Sequence, residues 1–368
     1  MKIGVPKETA LNERRVALTP EIAGRLVKSG LTLLVQRGAG EGAWFGDDAY
    51  RSAGATLVGT AAEIFGQSDI VLKVQPPSSG EVRLCREGTA LVAVFQPAVE
   101  RDTVAQLATR NVTAFSLALL PRITRAQGMD VLSSQATVAG YKSVLLAAAR
   151  SGRLFPMLVT AAGTLSPARV LVLGAGVAGL QAIATARRLG AIVSAFDVRP
   201  AVKEQVESLG AKFLELEIGE QAEAAGGYAK QLSDETHQRE LAFIAQHVKE
   251  ADVVITTAAI PGKRAPILIT ADAATAMKPG SVIVDLAIET GGNCELTEAG
   301  AEVARNGVII LGPLNLPSTL PVHASQMYAR NVASFLSQLV RDGQLVLDFS
   351  DEITRDTCVT HAGEVRKS

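Results

Sequence analysis

Leu171-Val172-Leu173-Gly174-Ala175-Gly176-Val177-Ala178-Gly179 sets three glycines in G-x-G-x-x-G spacing directly behind an apolar run of strand length. An apolar helix-period segment, Leu180 to Leu189, follows at once. That context separates a dinucleotide fingerprint from a chance spacing of glycines. Gly174 permits the tight turn, Gly176 lets the backbone approach a pyrophosphate, and Gly179 lets helix and strand pack closely, with the pyrophosphate on the helix N-terminus. Asp197 closes the next strand-length run, Ile192 to Phe196, 18 residues after Gly179. An acid about 20 residues on bonds the ribose hydroxyls of a bound dinucleotide. Its carboxylate would repel a 2′-phosphate and so favours NAD(H) over NADP(H), while the nearby Arg199 tempers that preference.

Working outward, Val170 to Leu173, Ile192 to Phe196, Lys212 to Leu216, Val253 to Thr256, Val282 to Leu286 and Val308 to Leu311 read as six strands, enough for a full Rossmann sheet. Upstream, Ile3 to Val5, Leu31 to Gln36, Ile70 to Val74, Ala90 to Val94 and Val112 to Phe115 alternate with helix-period segments. The first of these segments runs from Pro20 to Ser29, with Thr19 as N-cap. Ser134 to Ser151 is a long Ala-rich helical pattern that carries the chain across to the second domain. After Gly312-Pro313, a helix over Ser325 to Val340 and an edge strand over Leu345 to Phe349 are expected to return to the first domain. The fold predicted is α/β, with two doubly wound parallel-sheet domains, the second inserted in the first. Residues 1–138 and 320–368 form the first, and 139–319 the dinucleotide-binding one.

The chain has 368 residues, suited to two cores of ordinary size, and 48% of them are hydrophobic. A formal net charge of −1 supplies no basic field to attract nucleic acid or an anionic bilayer. Cys85, Cys294 and Cys358 are far apart with no C-x-x-C, so they read as buried free thiols and indicate neither a disulfide framework nor a metal site. No signal-peptide pattern opens the chain and no apolar run reaches the ~18 residues of a membrane span. A soluble, cytoplasmic chain is expected, whose membrane association would come through another subunit.

A second polar constellation lies between an apolar strand and the long helix. It runs Pro121-Arg122-Ile123-Thr124-Arg125-Ala126-Gln127-Gly128-Met129-Asp130-Val131-Leu132-Ser133-Ser134-Gln135. By chemistry alone it reads equally as a ligand-binding loop at the carboxyl end of a strand, or as a capping loop in which Asp130 or Ser133 satisfies helix amides. At these residues the chain resembles the NAD(H)-binding component of proton-translocating NAD(P) transhydrogenases. The resemblance extends over nearly the whole chain, through Ile3 to Glu8, Arg15-Val16-Ala17, Ala139-Gly140-Tyr141, Gly174 to Gln181, Lys203 to Val206, Gly227 to Lys230, Ile260 to Lys263 and Gly291-Gly292-Asn293-Cys294. One departure is Arg264, where the pattern has Pro.

The resemblance implies that Arg122, Gln127, Asp130 and Ser133 hold the nicotinamide end of NAD(H), with Ile123, Thr124, Gly128 and Met129 lining the loop. It implies Gly174, Ala175, Gly176, Val177, Gly179, Asp197, Val198, Arg199 and Ala259 for the rest of the cofactor, and Gly227 and Tyr228 on a loop that closes over it. It further implies NADP(H) on a partner subunit, membrane-spanning subunits that move the proton, a homodimer, and a cytoplasmic position peripheral to the inner (plasma) membrane. Because the chain stops at Ser368 without a membrane span, the proton channel and the NADP(H) domain are expected to be separate chains.

Hydride transfer between two nicotinamides needs alignment and no general base, which suits a polar clamp without histidine. The rival is alanine dehydrogenase, which resembles the chain at Arg15 and Lys73, matching residues that bind the amino-acid carboxylate and the carbonyl. Oxidative deamination needs a proton acceptor, and where that pattern carries a catalytic His this chain has Phe95-Gln96-Pro97. A non-catalytic NAD-binding regulator is the third reading, although it would not need the polar loop. His237 and His247 read as solvated, His323 as a cap or turn residue, and Trp44 and Tyr141 as packing groups.

Overall fold

A computed structural model of the chain describes residues 1–216, 223–224, 228–229, 233–260 and 263–367. The backbone divides into two compact units, Met1–Gln135 with Pro317–Ser368, and Ala136–Leu316. The second is therefore an insertion in the first.

In the first unit β1 (Lys2–Val5), β2 (Thr32–Gln36), β3 (Thr56–Val58), β4 (Ile70–Leu72), β5 (Ala90–Ala93) and β6 (Thr113–Ser116) pair in parallel in the order β6-β5-β4-β1-β2-β3. Every residue of β4, β5 and β6 is buried, as continuous apolar runs require when a parallel sheet is covered on both faces. Successive side chains serve opposite layers: Ile70, Leu72 and Val92 join the core on one face, and Val71, Leu91 and Ala93 the core on the other. Helix α1 (Pro20–Lys28) starts where Thr19 and Pro20 predict, but the Thr19 hydroxyl makes no capping bond and is buried without a hydrogen-bond partner.

Helix α2 (Val131–Arg150) begins three residues before the predicted Ser134, because Asp130 caps it: the Ser133 amide donates to Asp130 Oδ1 at 2.9 Å. In the second unit β7 (Arg169–Leu173), β8 (Ile192–Phe196), β9 (Lys212–Leu214), β10 (Val253–Thr256), β11 (Val282–Asp285), β12 (Glu302–Arg305) and β13 (Val308–Leu311) stand in the order β9-β8-β7-β10-β11-β13-β12. All pairs are parallel except β12 on β13. The chain winds outward from β7 in one direction to β9, then from β10 in the other, so the topological switch point lies between β7 and β10. Strand β12 is an antiparallel edge that the strand pattern did not predict. Helix α3 (Val177–Arg188) follows β7, and α4 (Asp234–Glu250) precedes β10.

Helix α5 (Pro321–Leu339) returns to the first unit, where Tyr328, Val332 and Phe335 are wholly buried in the core that contains β1 and β4. The predicted edge strand over Leu345 to Phe349 does not form. Gln344–Leu345 instead folds back on Val340–Arg341 as a short hairpin. The edge comes from β14 (Cys358–His361), antiparallel to β6 and extended by β15 (Glu364–Val365). Two further expectations are corrected. Trp44 is 71% exposed beneath the Arg14 guanidinium and Tyr141 is 40% exposed, so neither is a core packing group. The three cysteines are buried free thiols. Among the described residues no helix is long and apolar enough to cross a membrane.

Candidate functional site

In the second unit the fingerprint forms the turn between β7 and α3. Gly174 has φ +93°, and a Cβ on Gly179 would lie 1.9 Å from the Gly174 carbonyl oxygen. The first and third glycines thus abut, and only hydrogen atoms fit between strand and helix. Thr257, just past β10, donates its hydroxyl to the Gly174 carbonyl at 3.0 Å and ties the turn to the far side of the switch point. The N-cap of α3 is Gly176, which brings no side chain to the first-turn amides, and a Cβ there would meet nothing within 4 Å. A helix N-terminus left open in this way presents its N–H groups and positive dipole end to an anion.

Asp197 stands at the carboxyl end of β8 with its side chain 5% exposed. The Ala175 amide donates to its Oδ2 at 2.7 Å, linking the acid to the glycine turn. Arg199 surrounds it: the Arg199 backbone amide and Nε donate to Oδ1 at 2.9 and 2.8 Å, and Nη2 to Oδ2 at 2.7 Å. Val177 is exposed beside the turn, Val198 is half-buried, and Ala259 is exposed in the loop after β10. Gly227 lies outside the described residues. Tyr228 opens the short strand Tyr228–Ala229, and its side chain is also outside them.

In the first unit the polar stretch follows β6 and forms a 3-10 turn, Thr124–Met129. Arg122, Thr124, Gln127 and Gly128 are exposed, Ile123 is half-buried, and Ala126 and Met129 turn into the core. Met129 therefore offers only its backbone to a ligand. The turn is fastened at two points. Arg125 pairs with Asp351 at 2.6 Å, and Asn331 of α5 donates Nδ2 to the Gly128 carbonyl at 2.8 Å. Ser133 Oγ donates to Asp130 Oδ2 at 2.6 Å, so two of the four polar residues already act on each other. A carboxylate has about four lone-pair sites, and this capping leaves acceptor capacity on Asp130.

Arg15 and Lys73 are engaged by internal carboxylates. Arg15 Nη2 meets Glu13 Oε2 at 2.6 Å and its Nη1 donates to Gln135 Oε1 at 2.9 Å. Lys73, 1% exposed, bridges Glu8 at 3.0 Å and Glu81 at 2.9 Å. Burial pushes the Glu13 carboxyl up, but the Arg15 hydrogen bond and charge, with the Gln75 amide, outweigh it and hold the group down at about 2. Burial would lower the Lys73 ammonium, and the two carboxylates raise it instead. Gln96 is exposed after β5 and its amide donates to Glu100 Oε2 at 2.7 Å. The helix histidines are less solvated than expected. His237 Nδ1 lies 2.9 Å from the buried Glu240 carboxylate, and His247 stacks on Phe243 with ring centroids 4.6 Å apart. His323 is exposed in the first turn of α5. Sequence reasoning misses Thr257, Asp285 and Asn293, whose side chains tie together the loops after β7, β10 and β11.

Two family models together take in almost the whole chain: "Alanine dehydrogenase/PNT, N-terminal domain" over residues 4–139 and "Alanine dehydrogenase/PNT, C-terminal domain" over residues 143–368. The chain belongs to the alanine dehydrogenase/PNT family. Within that family it is 49% identical to an NAD(P) transhydrogenase subunit alpha chain of Rhodospirillum rubrum, over 99% of this chain and 97% of that one. A solved transhydrogenase structure from Sinorhizobium meliloti superposes with a TM-score of 0.91 at 46% identity, over 99% of this chain and 100% of the other. A solved L-alanine dehydrogenase gives a TM-score of 0.84 at 28% identity, over 100% and 97%. Both branches of the alanine dehydrogenase/PNT family thus share the architecture, and the alpha-subunit branch shares far more of the sequence.

Proposed function

We propose that this chain is the NAD(H)-binding component of a proton-translocating transhydrogenase and exchanges hydride with NADP(H) held on a partner subunit. The observation that carries the reading is the chain-long identity with transhydrogenase alpha chains, 49% and 46%, against 28% for L-alanine dehydrogenase. Gln96, at the position where the rival pattern carries its base, supports the same choice, since an amide cannot accept the proton that deamination releases.

The residues fit the cofactor. The uncapped N-terminus of α3 at Gly176 has room for a pyrophosphate and the donors to hold it. Asp197 would accept from the adenosine ribose, and Ala175, Val177, Val198 and Arg199 would line that half. When bound, the nicotinamide supplies or takes the hydride. The chain's own contribution is alignment. Gln127 and Asp130 would orient the carboxamide, Ser133 would hold the Asp130 carboxylate in place, and exposed Arg122 would anchor the ring end. None of these groups moves a proton, as befits a reaction that transfers none at the reacting carbons.

An apolar hairpin supports a homodimer. Met157, Leu158, Val159 and Leu165 lie on or beside the paired strands Leu158–Thr160 and Gly163–Leu165, each more than a third exposed, a patch suited to burial against a second copy. Proton movement and attachment to the inner membrane belong to partner subunits. The test mixes the purified chain with NADH and a separately prepared NADP(H)-binding transhydrogenase domain and follows reduction of the second nucleotide, with L-alanine plus NAD+ as a parallel assay. Transfer that needs both proteins, that falls on Gln127→Ala with NADH still bound, and that has no alanine turnover beside it is the expected result. Alanine turnover by this chain alone overturns the proposal.

A further inference from the structure

Asp285 and Asn293 have no exposed surface, and neither belongs to the dinucleotide fingerprint. Asp285 ends β11. Its Oδ1 accepts from Thr256 Oγ1 at 2.9 Å and from the Ala287 amide at 3.0 Å, and its Oδ2 from the Asn293 and Cys294 amides at 2.8 and 3.1 Å. Four donors on one buried carboxylate join the end of β10 to the turn after β11. That turn is bent by Gly291 and Gly292 with φ of +110° and +80°, backbone that a side chain would strain. It aims the Asn293 amide back across the sheet edge. Asn293 Oδ1 accepts from the Ala258 N–H at 3.0 Å, and its Nδ2 donates to the Ala258 carbonyl at 2.9 Å and the Pro266 carbonyl at 2.7 Å. One side chain thereby holds both ends of the segment 258–266.

The place of that segment in the sheet indicates what it faces. Asp197 ends β8, on one side of β7, whereas β10 and β11 lie on the other side. A dinucleotide spread over the switch point, with its adenosine ribose at Asp197, puts its nicotinamide nucleoside above the loops that follow β10 and β11. Exposed Ala259 is the residue next to the one Asn293 grips with two bonds. We propose that Asn293, itself held by Asp285, is a positioning residue that presents the Ala258–Ala259 backbone to the nicotinamide half of NAD(H). The inference rests on the NAD(H) reading above. Asn293 acts through Ala258, and no contact of its own with the cofactor is required.

The experiment titrates the full chain and its Asn293→Asp and Asn293→Ala variants with NADH and, separately, with ADP, which carries the adenosine and pyrophosphate without the nicotinamide nucleoside. Asp keeps the acceptor for the Ala258 amide and loses both donors. Orphaning two buried carbonyls is expected to weaken NADH by about 10- to 100-fold, while ADP stays within about 2-fold. Thr256→Val, which removes one of the four donors to Asp285 and keeps the side-chain shape, should move NADH in the same direction by a smaller factor and serves where the Asn293 variants fail to fold. Equal weakening of NADH and ADP would mean general loosening of the second unit and overturns the proposal, as does NADH affinity unchanged in every variant. Failure of the unsubstituted chain to bind NADH at all, with ADP still bound, overturns the NAD(H) reading and this inference with it.

Discussion

Replacing Asp197 with Asn removes one negative charge from a carboxylate that is 5% exposed and bonded to Ala175 and Arg199. The amide oxygen of Asn can still accept the Ala175 N–H, so the glycine turn should persist. Two effects on binding then act in opposite directions. NADH loses a charge-assisted hydrogen bond from its ribose hydroxyls, about 1.5–3 kcal/mol, or roughly 10- to 100-fold in affinity. NADPH gains, because one unit charge about 5 Å from its 2′-phosphate, at an effective dielectric near 20, is worth about 3 kcal/mol. The guanidinium of Arg199, released from Asp197, adds a fork suited to phosphate. The ratio of NADH to NADPH affinity should therefore fall by at least about 1,000-fold. Calorimetric titration of both nucleotides at one fixed ionic strength measures it, since salt screens the phosphate term. A ratio that moves less than about 10-fold would refute the reasoning and leave Asp197 as a brace for the turn alone.

Glu13→Gln should alter acid stability in a defined window. The folded carboxyl titrates at about 2 against an ordinary 4.5. Its depressed value stabilises the fold above the unfolded pKa, and that contribution disappears as pH falls through about 2. The gap in unfolding free energy between the parent chain and the variant should shrink by about 3 kcal/mol between pH 5 and pH 2, read by denaturant melts; a gap independent of pH would show that Glu13 and Arg15 are not coupled in this way. Val159→Asp places a charge on the hairpin residue that is 74% exposed, and sedimentation should report a monomer, with a persisting dimer excluding the hairpin as its contact.

Most of both sheets was legible because the strands are short apolar runs buried on both faces, and β5 (Ala-Leu-Val-Ala) or β10 (Val-Val-Ile-Thr) has no other way to hide its side chains. The failures share a cause. Strand β12, the Gln344–Leu345 hairpin and β15 each depend on a two-residue turn with both φ angles positive: Asn306-Gly307 at +49° and +77°, Asp342-Gly343 at +51° and +72°, and Ala362-Gly363 at +51° and +81°. Asn-Gly and Asp-Gly are strong hairpin signals in their own right. They escape a reading by strand pattern because the flanking strands are only two to four residues long and mostly exposed, too short for alternation of side chains to register.

The site divides along a different line. The fingerprint and Asp197 are legible because their chemistry is local: three glycines within six residues, then an acid one strand later. Asn293 works on Ala258 and Pro266, 35 and 27 positions away, so no spacing rule points to it. Asp197 and Asp285 show how little sequence separates the two cases. Each ends its strand and accepts the backbone amide two residues on, Arg199 or Ala287, in the same Asx turn. Each also carries four donors, about as many as a carboxylate can take. At Asp285 all four come from groups sealed inside the sheet edge, and no ligand can replace them. At Asp197 two come from the Arg199 guanidinium, 14% exposed, and a ribose can exchange its hydroxyls for those two bonds. Ribose binding therefore has to displace the guanidinium, which makes Arg199 a competitor for Asp197 before it becomes a neighbour of the bound cofactor.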